Sequence, residues 1–333
     1  VVFAMTLAET QHSSLVSVVM PLYNNAGEIR RGITSVFSQS IIPLELIVVN
    51  DGSTDGGEKI VREMKDERIK VLDQKNQGVS AARNRGIAEA KGELVAFLDA
   101  DDEWRPDFLE TILRLRNTFP QCGFFATHYT YRELNGHYRS PILHKIPGGQ
   151  WEGVLQNYFE VAASSDPPIW SSAVAVKKEA LLSIGGFPEG IAIGEDLLTW
   201  ARLAVAQKIA YSRKQCSVFW LRGPLTGFPT RTPEIPDRVG QQLAALMTDV
   251  PRESMKSFHQ YLAMWHRMRV SMFLHHQDRS NAIVELKKMA RYAPADPQVY
   301  IYGTLALMPK TVRKFVVQIF TLLKSVRRSI RRD

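Results

Sequence analysis

Short runs of β-branched and aliphatic residues alternate with longer amphipathic stretches through the first hundred positions. Ser17 to Pro21, Leu44 to Asn50, Ile69 to Leu72 and Glu93 to Leu98 read as strands. Between them the apolar spacing becomes helical. One helix follows Asn25, with Glu28 three residues on in the pattern of a capping box; a second follows Ser53 to Asp55; a third runs from Val79 to Ala90 and is closed by Gly92. Strands separated by helices of this length predict a parallel sheet with crossover helices, whose ligands gather at the carboxyl ends of the strands. The polar residues fall there: Tyr23 and Asn24 after the first strand, Asn50 to Ser53 after the second, Asp99 to Asp102 after the fourth.

From Pro106 to about Trp220 the alternation loosens. A helix is expected near Pro106 to Phe119, a strand at Gly123 to Tyr131, a strand at Ser172 to Val176 running into a helix, a turn at Gly185, Gly186 and Phe187, and a helix from Glu195 to Gln207. Beyond Pro236 the pattern is helical throughout: about Arg238 to Thr248, Glu253 to His276, Asp278 to Tyr292 and Pro297 to Leu307. No internal repeat or low-complexity segment interrupts it.

Composition narrows the class. With 333 residues and 45% hydrophobic positions, the chain is long enough for about two domains and unlike a disordered one. Cys122 and Cys216 are too few and too far apart for a disulfide framework or a four-ligand zinc site, which fits a reducing, cytoplasmic compartment. No stretch reaches the ~20 apolar residues of a membrane span, and the VVFAM opening lacks the basic lead and length of a signal core. The net charge of +8 is concentrated: Lys310, Arg313, Lys314, Lys324, Arg327, Arg328, Arg331 and Arg332 face Asp333 alone, a local +7 that leaves +1 for the rest. That asymmetry speaks against a nucleic-acid binder, whose positive charge should form a patch on the folded body. In the same segment Val312, Phe315, Val316, Ile319, Leu323, Val326 and Ile330 share one helical sector. Residues 310–333 therefore read as a basic amphipathic helix that either rests on an anionic membrane surface or docks on the protein body.

Three carboxylates, Asp99, Asp101 and Asp102, follow the buried run LVAF, where their mutual repulsion calls for a cation. Hard oxygen ligands suit Mg²⁺ or Mn²⁺; taken alone, the same residues also read as an acidic turn before a helix. The order VVMPLYN, VVNDGSTD, NQGVSAARNRGIAEAKGE and FLDADD over about eighty residues resembles the nucleotide-sugar-binding half of family 2 glycosyltransferases, which have the GT-A fold. The resemblance is strong over 16–110 and continues through GGF and GED to about 222. It implies an α/β GT-A domain over 14–232, with a nucleotide-binding half (14–110) and an acceptor half (111–232), followed by a helical region over 233–309 and the basic helix. It further implies Pro21 and Tyr23 lining the nucleoside pocket, Asp51 bonding the base, Arg83 on the nucleotide side of the third helix, Asp99 reaching the ribose or metal, and Asp101 holding the cation, with Asp102 behind them.

The second half resembles the same family in SIGGFPEGIAIGEDLLTWARLA, where the aspartate of the Glu-Asp pair deprotonates the acceptor hydroxyl. Asp196 is thus the expected base and Glu195 its loop-orienting neighbour; on their own the two equally complement a helix N-terminus. The segment FWLRGPLTGF carries Arg222 but no His where many relatives have one, so no third protein metal ligand is transferred. His128, His137, His144, His275 and His276 show no tight ligand spacing and are expected in core or surface roles. Trp151, Trp170, Trp200 and Trp220 are candidates for stacking on a sugar, Trp170 foremost because it follows Pro167 and Pro168. The implied function is inverting transfer of a sugar from a nucleoside diphosphate donor, UDP-linked, to a hydroxyl of a glycan or lipid-linked acceptor, in polysaccharide or surface-glycan synthesis. Two rivals are a nucleotidyltransferase, which should carry a Gly-rich, Lys-containing first loop where this chain has PLYNNAGE, and a non-catalytic nucleotide-sugar-binding or membrane adaptor with a vestigial site.

Overall fold

A computed structural model describes residues 15–221, 231–309, 311, 312 and 316. The chain divides into two compact units, Val1–Arg222 and Gly223–Asp333. The expected boundary between 232 and 233 lies in the second of these.

The first unit is built on one mixed sheet in the order β3-β2-β1-β4-β9-β6-β10-β5. Its parallel half contains β1 (Val16–Leu22), β2 (Glu45–Asp51), β3 (Ile69–Gln74) and β4 (Leu94–Phe97). The crossover helices are α1 (Ile29–Phe37), α2 (Gly57–Glu63) and α3 (Val79–Glu89). β1, β2 and β4 are buried along their whole length, as expected of strands covered on both faces. α1 starts a turn later than the sequence suggests: the Asn25 carbonyl accepts from the Glu28 and Ile29 amides, so that a turn over residues 25–28 leads into the helix.

Beyond β4 the sheet reverses. β9 (Val174–Lys177) is antiparallel to β4, and β6 (Phe124–Arg132) is antiparallel to β9, so β6 runs with β1–β4. β10 (Ile209–Trp220) is parallel to β6. β5 (Glu103–Trp104), β7 (Tyr138–Arg139) and β8 (Glu152–Val154) pair at the margins, β5 and β8 with β10 and β7 with β6. The carboxyl ends of β1, β2, β3, β4, β6 and β10 therefore share one edge of the sheet. Among the described residues, the unit's further α-helices are α4 (Phe108–Thr118), α5 (Tyr158–Ser164), α6 (Lys178–Ser183) and α7 (Glu195–Ala206).

The second unit is helical: α8 (Arg238–Ala245), α9 (Met255–His275), α10 (Arg279–Tyr292) and α11 (Pro297–Leu307). Asp237, Asp278 and Asp296 each cap the helix that follows through a side-chain oxygen. Val270, Phe273, Leu274, Ala282, Leu305 and Ala306 form its core, with Val316 packed against them. Most of the expected basic helix, like Arg222, lies outside the described residues. No helix among the described residues is long and apolar enough to cross a membrane.

Candidate active site at the carboxyl edge of the sheet

Asp51, the last residue of β2, is buried, and its carboxylate accepts three hydrogen bonds. Oδ1 takes the Gln74 Nε2 donor at 2.8 Å and the Gln77 amide at 2.9 Å; Oδ2 takes the Gly78 amide at 2.8 Å. It thereby binds the start of α3, where free amides favour an anion. A carboxylate has about four acceptor sites, which leaves capacity for one further donor such as a base N–H. The loops after β1 and β2 are laced together beside it. The Thr54 amide donates to Asn24 Oδ1 at 2.9 Å, and the Ala26 amide to Asp55 Oδ2 at 2.7 Å. Tyr23 projects from this edge at 50% exposure, whereas Pro21 is buried within β1 opposite Val49.

Five residues along α3 from Gly78, Arg83 is buried and donates to Asp99 Oδ1 at 2.7 Å. Its other terminal nitrogen lies 3.8 Å from Glu195 Oε1, and its guanidinium is 5.1 Å from the Phe187 ring. Burial works against its charge, but Asp99, Glu195 and Asp196 together outweigh that and raise its pKa. Next to it, Asn84 clamps the glycine turn: Nδ2 donates to the Phe187 carbonyl at 2.9 Å and the Phe187 amide donates back to Oδ1 at 2.8 Å. Gly186, at φ 70°, comes so close that a Cβ would stand 2.5 Å from Asn84 Oδ1. Phe187 packs edge-on between Phe97 of β4 and Trp200 of α7.

α7 begins with Glu195 and Asp196, and the Leu197 amide donates to Asp196 Oδ1 at 2.7 Å. Burial raises both carboxyls, Glu195 to about 7 with help from the Asp196 charge, and Arg83 pulls each of them back down. One helix, α3, thus joins Asp51 at its start to Asp99, Glu195 and Asp196 at its middle.

The turn Asp99–Asp102 is anchored from behind. Asp102 is fully buried; its Oδ2 accepts from Trp170 Nε1 at 3.0 Å and from Ser172 Oγ, and its Oδ1 from the Trp220 amide at 3.3 Å. Ser172 Oγ in turn accepts the Asp99 amide at 3.1 Å. Burial and the neighbouring Asp101 and Asp99 push the Asp102 carboxyl well above the ordinary range. Arg31 of α1 donates to the Asp101 carbonyl. Asp99 Oδ2 and the Asp101 carboxylate are hard oxygen donors at the turn, which suits Mg²⁺ or Mn²⁺.

Of the expected aromatic platforms, Trp200 is fully buried, and Trp170 is half-buried, donating to Asp102 and packed beside Tyr129 and Phe219. His128 lies in the core beside the Tyr211 hydroxyl, and burial lowers its pKa to about 4. Sequence reasoning missed Asn84, Ser172 and Arg31, whose roles arise from partners distant in the chain. It also missed a buried group in the second unit, Asp237, His266 and Glu285, whose ligand atoms lie within 4.8 Å of one another. Arg269 occupies that group, with Nε 3.3 Å from Asp237 and 3.2 Å from Glu285, so its carboxylates are already neutralised.

Residues 17–171 match the model of glycosyl transferase family 2. An uncharacterized glycosyltransferase of Rickettsia bellii is 32% identical over 64% of this chain and 30% of its own length. The chain spans about a third of the first curated relatives it matches. A putative teichuronic acid biosynthesis glycosyltransferase of Bacillus subtilis, TuaG, is 32% identical over 62% of this chain and 79% of its own length. Among solved structures, S. aureus TarS residues 1–349 in complex with UDP-GlcNAc superposes with a TM-score of 0.65 at 19% identity, covering 84% of this chain and 82% of that one. That likeness carries the GT-A fold, and with the family model and the TuaG match it places the chain in glycosyltransferase family 2.

Proposed function

We propose that the protein is an inverting glycosyltransferase that moves a sugar from a UDP-linked donor to the hydroxyl of a glycan or lipid-linked acceptor, in polysaccharide or surface-glycan synthesis. The observation that carries this reading is the convergence of Asp51, Arg83, Asp99, Glu195 and Asp196 through one helix at the carboxyl edge of the sheet. TuaG's printed role in teichuronic acid biosynthesis and the UDP-GlcNAc complex of TarS support the substrate class.

Tyr23 and Asp51 receive the nucleoside, the remaining acceptor site of Asp51 taking a base N–H. Arg83 fixes Asp99 so that its second oxygen points with Asp101 toward the diphosphate. A divalent cation held by Asp99 and Asp101 would supply neutralisation of the charge on the departing diphosphate. Asp196, oriented by the Leu197 amide, takes the acceptor hydroxyl proton as the oxygen bonds to the anomeric carbon and the bond to the diphosphate breaks with its electron pair. Asp102 and Glu195 touch no reacting atom: the first holds the turn, the second shares Arg83.

The test is release of UDP from a panel of UDP-sugars with Mn²⁺ and candidate acceptors. Asp101→Ala should abolish turnover, and Asp196→Asn should reduce acceptor-dependent turnover by about 10²–10⁴-fold while leaving UDP binding intact. Turnover untouched in Asp196→Asn would remove that residue as base; UDP binding without turnover under every condition would favour the vestigial adaptor. For residues 310–333 we propose contact with an anionic membrane surface. The full chain should co-sediment with phosphatidylglycerol vesicles and a version ending at Met308 should not; equal binding by the two refutes the contact.

A further inference from the structure

On the acceptor side of the same edge, three side chains from three elements meet: Arg31 of α1, Arg132 at the end of β6 and Trp220 at the end of β10. Arg132 and Trp220 are register partners. Both guanidinium groups stack on the Trp220 ring, their central carbons 3.8 Å (Arg31) and 4.1 Å (Arg132) from its centroid. Arg31 is partly satisfied by Glu103 at 3.6 Å and by the Asp101 carbonyl. Arg132 is not: among the described residues its side chain has aromatic neighbours, Trp220 and Tyr138, and no carboxylate or hydrogen-bond acceptor. Nε of both arginines and Nε1 of Trp220 are buried without a hydrogen-bond partner, while the terminal nitrogens of Arg132 remain accessible. Native structures rarely leave several such donors unsatisfied in one place, and a guanidinium fork matches an oxyanion.

The position sets the ligand. In the order β2-β1-β4-β9-β6, Asp51 and Arg132 stand four strands apart, about 19 Å at the usual spacing, with the Asp99–Asp102 turn between them. A donor with its base at Asp51 and its diphosphate at Asp99 and Asp101 leaves Arg132 on the far side. We propose that Arg31 and Arg132, braced by Trp220, form a subsite for an oxyanion, phosphate or carboxylate, carried by the acceptor. This rests on the glycosyltransferase reading above and deepens it: the acceptor is acidic close to the hydroxyl that is glycosylated.

The test is calorimetric titration of the full chain with sn-glycerol 3-phosphate and, separately, glucuronate, each with UDP and Mn²⁺ already saturating. One of the two should bind, distinguishing phosphate from carboxylate. Arg132→Gln should weaken that binding at least tenfold with UDP affinity within twofold of wild type. Arg132→Lys, which keeps the charge and loses the fork, should weaken it severalfold and serves alone if the glutamine variant does not fold. Binding of neither probe, equal binding by wild type and both variants, or binding of a probe only when UDP is left out, which would assign the arginines to the donor diphosphate, each overturns the proposal. Failure of wild type to bind UDP at all would instead overturn the glycosyltransferase reading.

Discussion

Glu195 and Asp196 occupy the first turn of α7, where helix amides favour anions, yet both carboxyls are raised because burial outweighs that help. A base must be ionised to act, so turnover should rise with pH through a region above the ordinary aspartate range, because burial raises Asp196. The Asp196 charge helps to raise Glu195, so Asp196 ionises first, beside a neutral Glu195; Glu195→Gln should therefore leave the acid limb of kcat in place, and a displaced limb in a pH–rate profile would refute that order. Stability provides an independent sign. Glu195 has a folded value above its unfolded one, so its ionisation cost is absent below about pH 4.5 and complete above about 7. Glu195→Gln should therefore raise the melting temperature at pH 8 relative to wild type and leave it unchanged at pH 4. Asp51, Asp99, Asp101 and Asp196 were legible as candidates because each ends a strand or starts a helix within a recognisable local pattern. Arg31, Ser172 and Arg132 were not, since a lone Arg or Ser on an element reads as solvated until its partner is known. Nor could any spacing rule foresee that Trp170 and Trp220 would be tied to Asp102.

At the scale of the element, α3 explains why its sequence reads as it does. It packs on β1 through small residues, and a Cβ on Gly86 would overlap the side chain of Val19. That close approach lets consecutive residues serve two loops: Arg83 reaches Asp99 and Glu195, and Asn84 reaches Phe187 and Glu189. Asn84→Ala should leave the buried Phe187 backbone groups unpaired, destabilising the protein by about 1–3 kcal/mol. It should also loosen α7 against α3, lowering kcat by roughly 10–100-fold with UDP affinity little changed, as steady-state kinetics beside a UDP titration would reveal; a loss confined to UDP affinity would refute it. The first four strands were legible because hydrophobic runs bounded by turn residues leave little choice. β5, β7 and β8 were not, having too few residues to carry a period, and the reversal at β9 depends on pairings that no local pattern encodes. The helix after Asn25 shows the limit of motif reading at boundaries, since a backbone turn over residues 25–28 precedes the first helical residue, Ile29.

Over the whole molecule, charge is distributed unevenly and for different physical reasons. Outside residues 310–333 the formal balance is nearly neutral, yet the second unit buries Asp237, His266, Arg269 and Glu285 together. Its helices were legible from their apolar period, and the only trace of the network was a pair of polar residues, His266 and Arg269, among apolar neighbours on α9. Such a group is tolerable only when every charge has a partner. Glu285 has three: His266 Nδ1 at 2.7 Å, Lys288 at 2.9 Å and Arg269 at 3.2 Å. Burial alone would raise its carboxyl, and these partners overcome that and hold it at about 2, against an ordinary value of 4.5. The stability it contributes is therefore complete above about pH 4.5 and is lost as pH falls toward 2. Glu285→Gln should destabilise the protein at pH 7 by about 3 kcal/mol, the lower end for a broken buried pair, because Asp237 still faces Arg269. In urea unfolding at pH 7, 4 and 2.5, the difference between wild type and variant should shrink steadily as the acid range is entered. A difference that stays constant across the three would mean that packing, rather than the ionised carboxylate, is what Glu285 contributes.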